Sequence, residues 1–234
     1  MINLNNKKYT VIAFIIILLV IALIYQVFNT SEKKSYYGPY YTLESIPEYS
    51  NSPYVVLNNN VPEFTENDIT EIGYEYYSNL DEQKRSQVAY AVVGVETMPI
   101  ENRISNGQIK PSGWHTVKYD IVDGGYLYNR CHLIGYQLTG ENKNEKNLIT
   151  GTRYMNVKGM LKFENKVADY VTTTKNHVMY RATPIYSGDN LLASGVKIEA
   201  KAIEDKHFYF NVYIYNVQPG IVIDYRSGDS YLKN

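Results

Sequence analysis

The sequence predicts an α+β domain behind an N-terminal membrane-spanning helix, and three observations carry that expectation. An almost unbroken apolar run fills Val11–Phe28. The chain after it, roughly 200 residues, is long enough for one domain with a substantial core. Within that chain, segments of strand-like alternation stand on both sides of one segment with helical spacing.

The apolar run comes first. A helix rising ~1.5 Å per residue needs roughly 20 residues to cross a bilayer. The run is just long enough, and Gln26 is its only strongly polar member. The following Asn29-Thr30-Ser31-Glu32-Lys33-Lys34 offers no small-x-small cleavage site and no cysteine for lipidation. A retained single-pass anchor over 10–28 is therefore favoured over a cleaved signal segment, which would release a secreted protein. Lys7 and Lys8 then stay inside as part of a cytoplasmic tail, residues 1–9, and the rest is exported, although Lys33 and Lys34 weaken the charge asymmetry. Residues 29–53, rich in Ser, Tyr, Glu and Pro and without periodicity, read as a stalk. The folded domain is expected over 54–234.

Pro53–Leu57 reads as its first strand and Asn58–Asn60 as a turn. Gln87–Val95 is a β-rich apolar run, expected in the core. A loop with Pro99, Asn106-Gly107 and Pro111-Ser112-Gly113 follows; Trp114–Val122 then alternates like a strand and ends at the turn Asp123-Gly124-Gly125. Asn147–Thr150 is a short strand after the polar loop Gly140–Lys146. From Met160 the apolar positions Phe163, Val167, Tyr170 and Val171 recur at helical steps. His177–Tyr186, Gly195–Ile203 and Phe208–Val217 return to strand alternation.

Composition narrows the class. The single cysteine, Cys131, excludes an intramolecular disulfide, and an exported protein without one fits a Gram-positive-like setting. The net charge of −1 excludes a polycation, yet Arg130–Arg181 carries nine Lys/Arg against four Asp/Glu. That excess is compatible with a phosphate-rich ligand, and taken alone it is also the ordinary mark of a solvated helix face. The chain has no G-x-S-x-G elbow, H-E-x-x-H helix, C-x-x-C pair or G-x-x-x-x-G-K-[ST] loop.

Of four histidines, His132 has the informative context, Asn129-Arg130-Cys131-His132-Leu133. Asn147-Leu148-Ile149-Thr150-Gly151-Thr152 follows, then Asn156, then Glu164 eight residues later. This order and spacing resembles the DNA/RNA non-specific endonucleases, whose motif usually reads Asp-Arg-Gly-His followed by an Asn ligand and a Glu. The similarity runs from about Gln87 to Tyr225 and includes Pro111-Ser112-Gly113-Trp114-His115 and Val217-Gln218-Pro219-Gly220.

The resemblance implies a mixed or antiparallel central sheet carrying a ββα-metal finger, DNA and RNA as substrates, and Mg²⁺ as cofactor with Mn²⁺ as the alternative. It implies His132 as general base, a role that suits an imidazole with an unperturbed pKa of ~6.5. Asn156 would be the metal ligand, and Mg²⁺ accepts few protein oxygens because it keeps several waters. Glu164 would hydrogen-bond the waters around the ion. Arg130 is the candidate electrophile and phosphate contact, since its donor fork suits two non-bridging oxygens and it lies on the His132 face of a strand. Asn147 joins the catalytic set as an orienting residue. Arg153 is a candidate phosphate contact, with a surface role as the alternative.

Two features strain the pattern. Eight residues of straight helix rise ~12 Å, so Asn156 and Glu164 require a bent or irregular segment between them, for which Gly159 is the place. Asn129 and Cys131 stand where the family usually has Asp and Gly; the first removes a carboxylate, and the second should face the core, opposite His132. Trp114 is expected as core or rim packing, and His177 and His207 as structural residues. The competing functions are a non-catalytic nucleic-acid receptor and a small-nucleotide phosphodiesterase.

Overall fold

The structure, a computed structural model, describes residues 16–20, 41–101 and 108–233. Two compact units divide the chain at Pro39/Tyr40. In the first, Ile16–Val20 is helical with exposed side chains. The rest of the expected anchor lies outside the described residues, and among those described no helix is long and apolar enough to cross a membrane.

The second unit is built on a six-stranded antiparallel sheet. Its strands are β1 (Tyr54–Val56), β2 (Glu75–Tyr77), β3 (Ala89–Val93), β6 (Val178–Ile185), β7 (Gly195–Ala202) and β8 (Tyr209–Tyr215), in the spatial order β1-β8-β7-β6-β3-β2. Between β3 and β6 the chain makes a separate two-stranded sheet, β4 (Tyr128–His132) with β5 (Leu148–Thr152). A short helix α1 (Tyr136–Thr139) lies in the β4–β5 connection. After β5 comes one π-helical stretch, Met155–Met160, which runs into α2 (Leu161–Thr174). A last pair, β9 (Ile221–Ile223) and β10 (Ser230–Leu232), closes the chain.

Period-two alternation divides the sheet into two faces. Ala89, Ala91 and Val93, then Val178 and Tyr180, then Val196, Ile198 and Ala200, and finally Phe210, Val212 and Ile214, all face one core. Phe163, Val167 and Val171 bring the apolar stripe of α2 into that core, and Cys131, Leu133, Ile149 and Met155 bring the β4–β5 unit. The opposite face carries charge. Arg181, Glu199 and Asn211 stand side by side across β6, β7 and β8, and the segment over 58–68 covers them: Glu199 accepts from the Glu63 amide at 2.7 Å, Arg181 pairs with Asp68 at 3.2 Å, and Lys197 pairs with Glu63.

Two expectations change. Residues 41–53, read as part of a stalk, pack on the domain: Tyr41, Leu43, Ile46 and Tyr49 lie against Leu57, Tyr213 and Tyr215, and the Tyr215 hydroxyl donates to the Pro47 carbonyl at 2.7 Å. Trp114–Val122 is not a strand. Its amides go to local turns, Tyr119 to the Gly125 carbonyl and Val122 to that of Tyr119, and its alternation reflects packing of Trp114, Val117, Tyr119 and Val122 in a satellite core with Leu127, Leu192 and Ile221. The short strands β2, β9 and β10, three residues each, were too brief to show a period.

His177, at the entry to β6, is structural. Its Nε2 lies 3.1 Å from Glu96 and its Nδ1 bonds Glu204, and these carboxylates hold its pKa above the usual 6.5, Glu204 contributing most. Because the folded pKa is raised, the stabilisation is fully present below the unfolded pKa and is lost as pH rises through the folded value. An NMR titration should place the His177 ring above free histidine, and Glu204→Gln should bring it down; an unshifted ring in the native protein would refute the tie.

Candidate active site

The candidate site is assembled on β4. In the β4–β5 register Asn129 faces Gly151, Arg130 faces Thr150 and His132 faces Leu148. Side chains alternate along the strand, so Arg130 and His132 share a face and Cys131 takes the other. Cys131 is fully buried in the main core, with its sulfur against Gly151. It packs as a small hydrophobe.

His132 is buried, and its Nε2 lies 3.2 Å from the backbone carbonyl of Asn142 in the β4–β5 connection. A carbonyl only accepts, so Nε2 carries the hydrogen and Nδ1 is the basic nitrogen. Asn147 fixes the same connection. It is completely buried, its Oδ1 accepts from the Ile134 amide at 2.8 Å, its Nδ2 donates to the Ile134 carbonyl at 3.0 Å, and its own carbonyl accepts from the Leu133 amide at 2.9 Å. Both ends of the Asn147 amide are thereby committed to the Ile134 backbone.

Arg130 lies with its guanidinium 4.0 Å from the centre of the Trp114 ring, and its Nε donates to the Ile109 carbonyl. Partial burial holds its pKa below the usual value for arginine, with no consequence for its charge at neutral pH. Arg130, Asn129, Asn156, Trp114 and Arg153 line one open groove of about 510 Å³ whose lining contains no carboxylate. Arg153 is held at its edge by Asp123 at 3.0 Å, an exposed pair worth at most ~1 kcal/mol.

The helical segment reaches β4 at Asn156. The Nδ2 of Asn156 donates to Oδ1 of Asn129 at 3.2 Å, near the start of the strand. Glu164 is buried near its far end, where a Cβ on Gly135 would stand 2.6 Å from the carboxylate. Tyr180, fully buried, donates to the Leu133 carbonyl at 3.3 Å; burial first, and the Glu164 charge second, keep its phenol protonated. Asn156 is thus bonded to β4 through Asn129, and Glu164 lies against Gly135, beyond the strand's last residue, His132. The irregular segment expected between them is the π-helical stretch, and it contains Gly159, which is buried against Ile214 with no room for a side chain. Thr152 and Tyr154 enter this stretch with their amides held by Asn216 at 2.9 Å and Gln218 at 3.1 Å.

These residues suit a hard divalent cation. The nitrogen end of the Asn156 amide is committed to Asn129, so its oxygen, a neutral hard donor, is the end for an ion. Among the described residues no group of three or more His, Cys, Asp or Glu gathers into a metal cage, so a cation here would rest on Asn156, on substrate and on water.

The remaining sequence candidates fall elsewhere. His115 bonds the Ser227 carbonyl at 3.0 Å and pins the C-terminal turn. Sequence reasoning missed the Asn142 carbonyl, which no side-chain pattern reveals, and the Asn129–Asn156 bond, to which the departure at Asn129 was the available pointer.

Residues 65–204 match the family model for DNA/RNA non-specific endonucleases. This chain belongs to the DNA/RNA non-specific endonuclease family. A deoxyribonuclease from Streptococcus dysgalactiae subsp. equisimilis is 28% identical over 160 residues, covering 66% of this chain and 46% of that protein, so the chain spans less than half of that relative. NucA from Streptococcus agalactiae, solved with no metal bound, superposes with a TM-score of 0.71 at 28% identity, over 82% of this chain and 92% of NucA. The Sda1 nuclease, solved with a bound zinc ion, superposes with a TM-score of 0.61 at 31% identity, over 69% of this chain and 80% of Sda1. In this family member, the core-facing position that usually holds Gly is filled by Cys131.

Replacing Asn147 by Ala strands the Ile134 amide and carbonyl in a buried setting. Each such group costs ~1–3 kcal/mol, so denaturant unfolding should show a loss of about 3 kcal/mol; a loss within error of zero would show that Asn147 does not hold the loop.

Proposed function

We propose that this chain is a divalent-metal-dependent endonuclease that hydrolyses phosphodiester bonds of DNA and RNA with little sequence preference. The observation that supports the reading is the bond from Asn156 to Asn129, which joins Asn156 to the strand that carries Arg130 and His132, with Glu164 buried against Gly135 just beyond that strand. The NucA structure with a magnesium ion bound, 28% identical to this chain, supports the metal.

His132 takes the proton of the attacking water at Nδ1, while the Asn142 carbonyl fixes the ring and steadies the imidazolium that forms. Arg130, held by Trp114 and the Ile109 carbonyl, presents its donors to the non-bridging oxygens as charge builds on the phosphate. A divalent cation held by Asn156 supplies charge stabilisation for the leaving oxygen. Glu164 would accept hydrogen bonds from the waters around such an ion. Arg153 extends the positive groove only in competition with Asp123. Recognition through phosphate carries no base information, which accounts for broad specificity. The apolar run over 10–28 supports a location outside the cell membrane, with the domain anchored by that segment.

Incubating the protein with supercoiled plasmid and with RNA should give cleavage of both with Mg²⁺ and none in excess chelator. His132→Ala should lose activity by at least about 100-fold, and the wild-type rate should fall at acid pH as the imidazole is protonated. Full activity in His132→Ala would refute the base; retained binding without cleavage under all metal conditions would establish a receptor. Trp114→Leu should lower kcat roughly tenfold by releasing Arg130, with Trp114→Phe recovering part of the loss, in line with a cation–π contact of ~1–2 kcal/mol. An unchanged kcat in Trp114→Leu would remove the indole from the mechanism.

A further inference from the structure

A second cleft, of about 540 Å³, lies beside the candidate site. One wall comes from the turn at residues 80–86 and the other from residues 108–113, which lead into Trp114. The wall is joined to the active strands: the Ile109 carbonyl accepts from Arg130, and the Ser112 carbonyl accepts from Thr150, the β5 partner of Arg130, at 2.8 Å. Residues 108–113 of this cleft thus lead directly into Trp114 of the Arg130 groove.

The charges in this cleft are Lys84 and Lys110 against Glu145. The turn is built to direct one cation inward and the other outward. Arg85 is tied back by Asp81 at 2.6 Å and by the Gly188 and Asn190 carbonyls at 2.8 and 3.0 Å, and it lies over the Tyr186 ring. Its neighbour Lys84 is exposed, with its amide on the Asp81 carbonyl and a φ of 59°. That left-handed conformation favours Gly or Asn and is unusual for lysine. Ser86, buried, anchors the turn to β5 through the Leu148 carbonyl at 2.7 Å.

We propose that this cleft is a second phosphate-contacting subsite, in which Lys84 and Lys110 hold the polynucleotide strand beyond the phosphate gripped at Arg130. The inference rests on the nuclease reading and deepens it. Phosphates recur every ~3.4 Å of helix axis on each strand of a duplex, so a substrate running past residues 108–114 brings further phosphates to the two lysines. A small diester, which ends at the Arg130 groove, does not reach them.

The test is the double variant Lys84→Asn, Lys110→Gln, in the full chain. Hydrolysis of bis(p-nitrophenyl) phosphate should be unchanged, while KM for a long single-stranded oligonucleotide should rise several-fold. Binding of that oligonucleotide, measured in a His132→Ala background, should lose roughly 1.4 from the magnitude of its log K against log[salt] slope, ~0.7 for each phosphate contact. An unchanged slope and an unchanged KM would overturn the subsite. Wild type that cleaves neither substrate would instead overturn the nuclease reading, and the salt slope would still decide the subsite. Lys84→Gly, which fits the left-handed backbone, should weaken oligonucleotide binding with a thermal midpoint no lower than wild type; a lower midpoint with unchanged affinity would assign Lys84 to the fold and overturn its role.

Discussion

The helix and the back of the β4–β5 unit are buried in one core against the large sheet, and the placing of the site residues follows from that. Asn156 and Glu164 stand eight residues apart, too far along a straight helix to meet at a point. The fold keeps them apart: Asn156 bonds Asn129 on the strand that carries Arg130 and His132, while Glu164 lies against Gly135, beyond the end of that strand. The π-helical stretch sets the rotation between the two residues, and Gly159 lets it press on Ile214 of β8. Gly135 does the same at the other end, since any side chain there would displace the Glu164 carboxylate.

The large sheet is the platform for this arrangement. Its apolar face receives α2 and the back of the β4–β5 unit in one continuous core, so the site's geometry is fixed by the same contacts that stabilise the fold. Asn216, buried just after β8, bonds the Thr152 amide and the Thr150 and Ala193 carbonyls, which couples the end of β5 to the sheet. The other face holds charges that are buried only because they are paired: Glu199, 1% exposed, meets Arg181, Lys197 and the Glu63 amide. That network closes the segment over 58–68 onto the sheet, far in sequence from the site.

Much of this was legible in the sequence because it was periodic or carried by side-chain motifs. The strands β3, β6, β7 and β8 and helix α2 have long apolar patterns, and the residues from Asn129 to Glu164 keep a recognisable order. The need for an irregular segment near Gly159 followed from helix geometry alone. What the sequence hid is of another kind. The partner of His132 is a backbone carbonyl, which residue 142 supplies whatever its side chain. Trp114–Val122 alternates because a satellite core selects every second or third side chain, which a period cannot distinguish from a strand. Residues 41–53 have no period, yet their tyrosines and Pro47 dock on β8.

Asn129 shows how a departure from a motif is absorbed. An aspartate at this position would also accept the Asn156 Nδ2 hydrogen, so the bond that orients the Asn156 amide does not depend on a carboxylate. What changes is charge. With asparagine here, the groove containing Arg130 and Arg153 has no acidic residue in its lining. Its field toward a phosphate is then set by the arginines, tempered at the rim by Asp123. An aspartate would attract a cation more strongly but would also oppose an incoming polyanion. The neutral residue keeps the geometry and shifts that balance toward the polyanion.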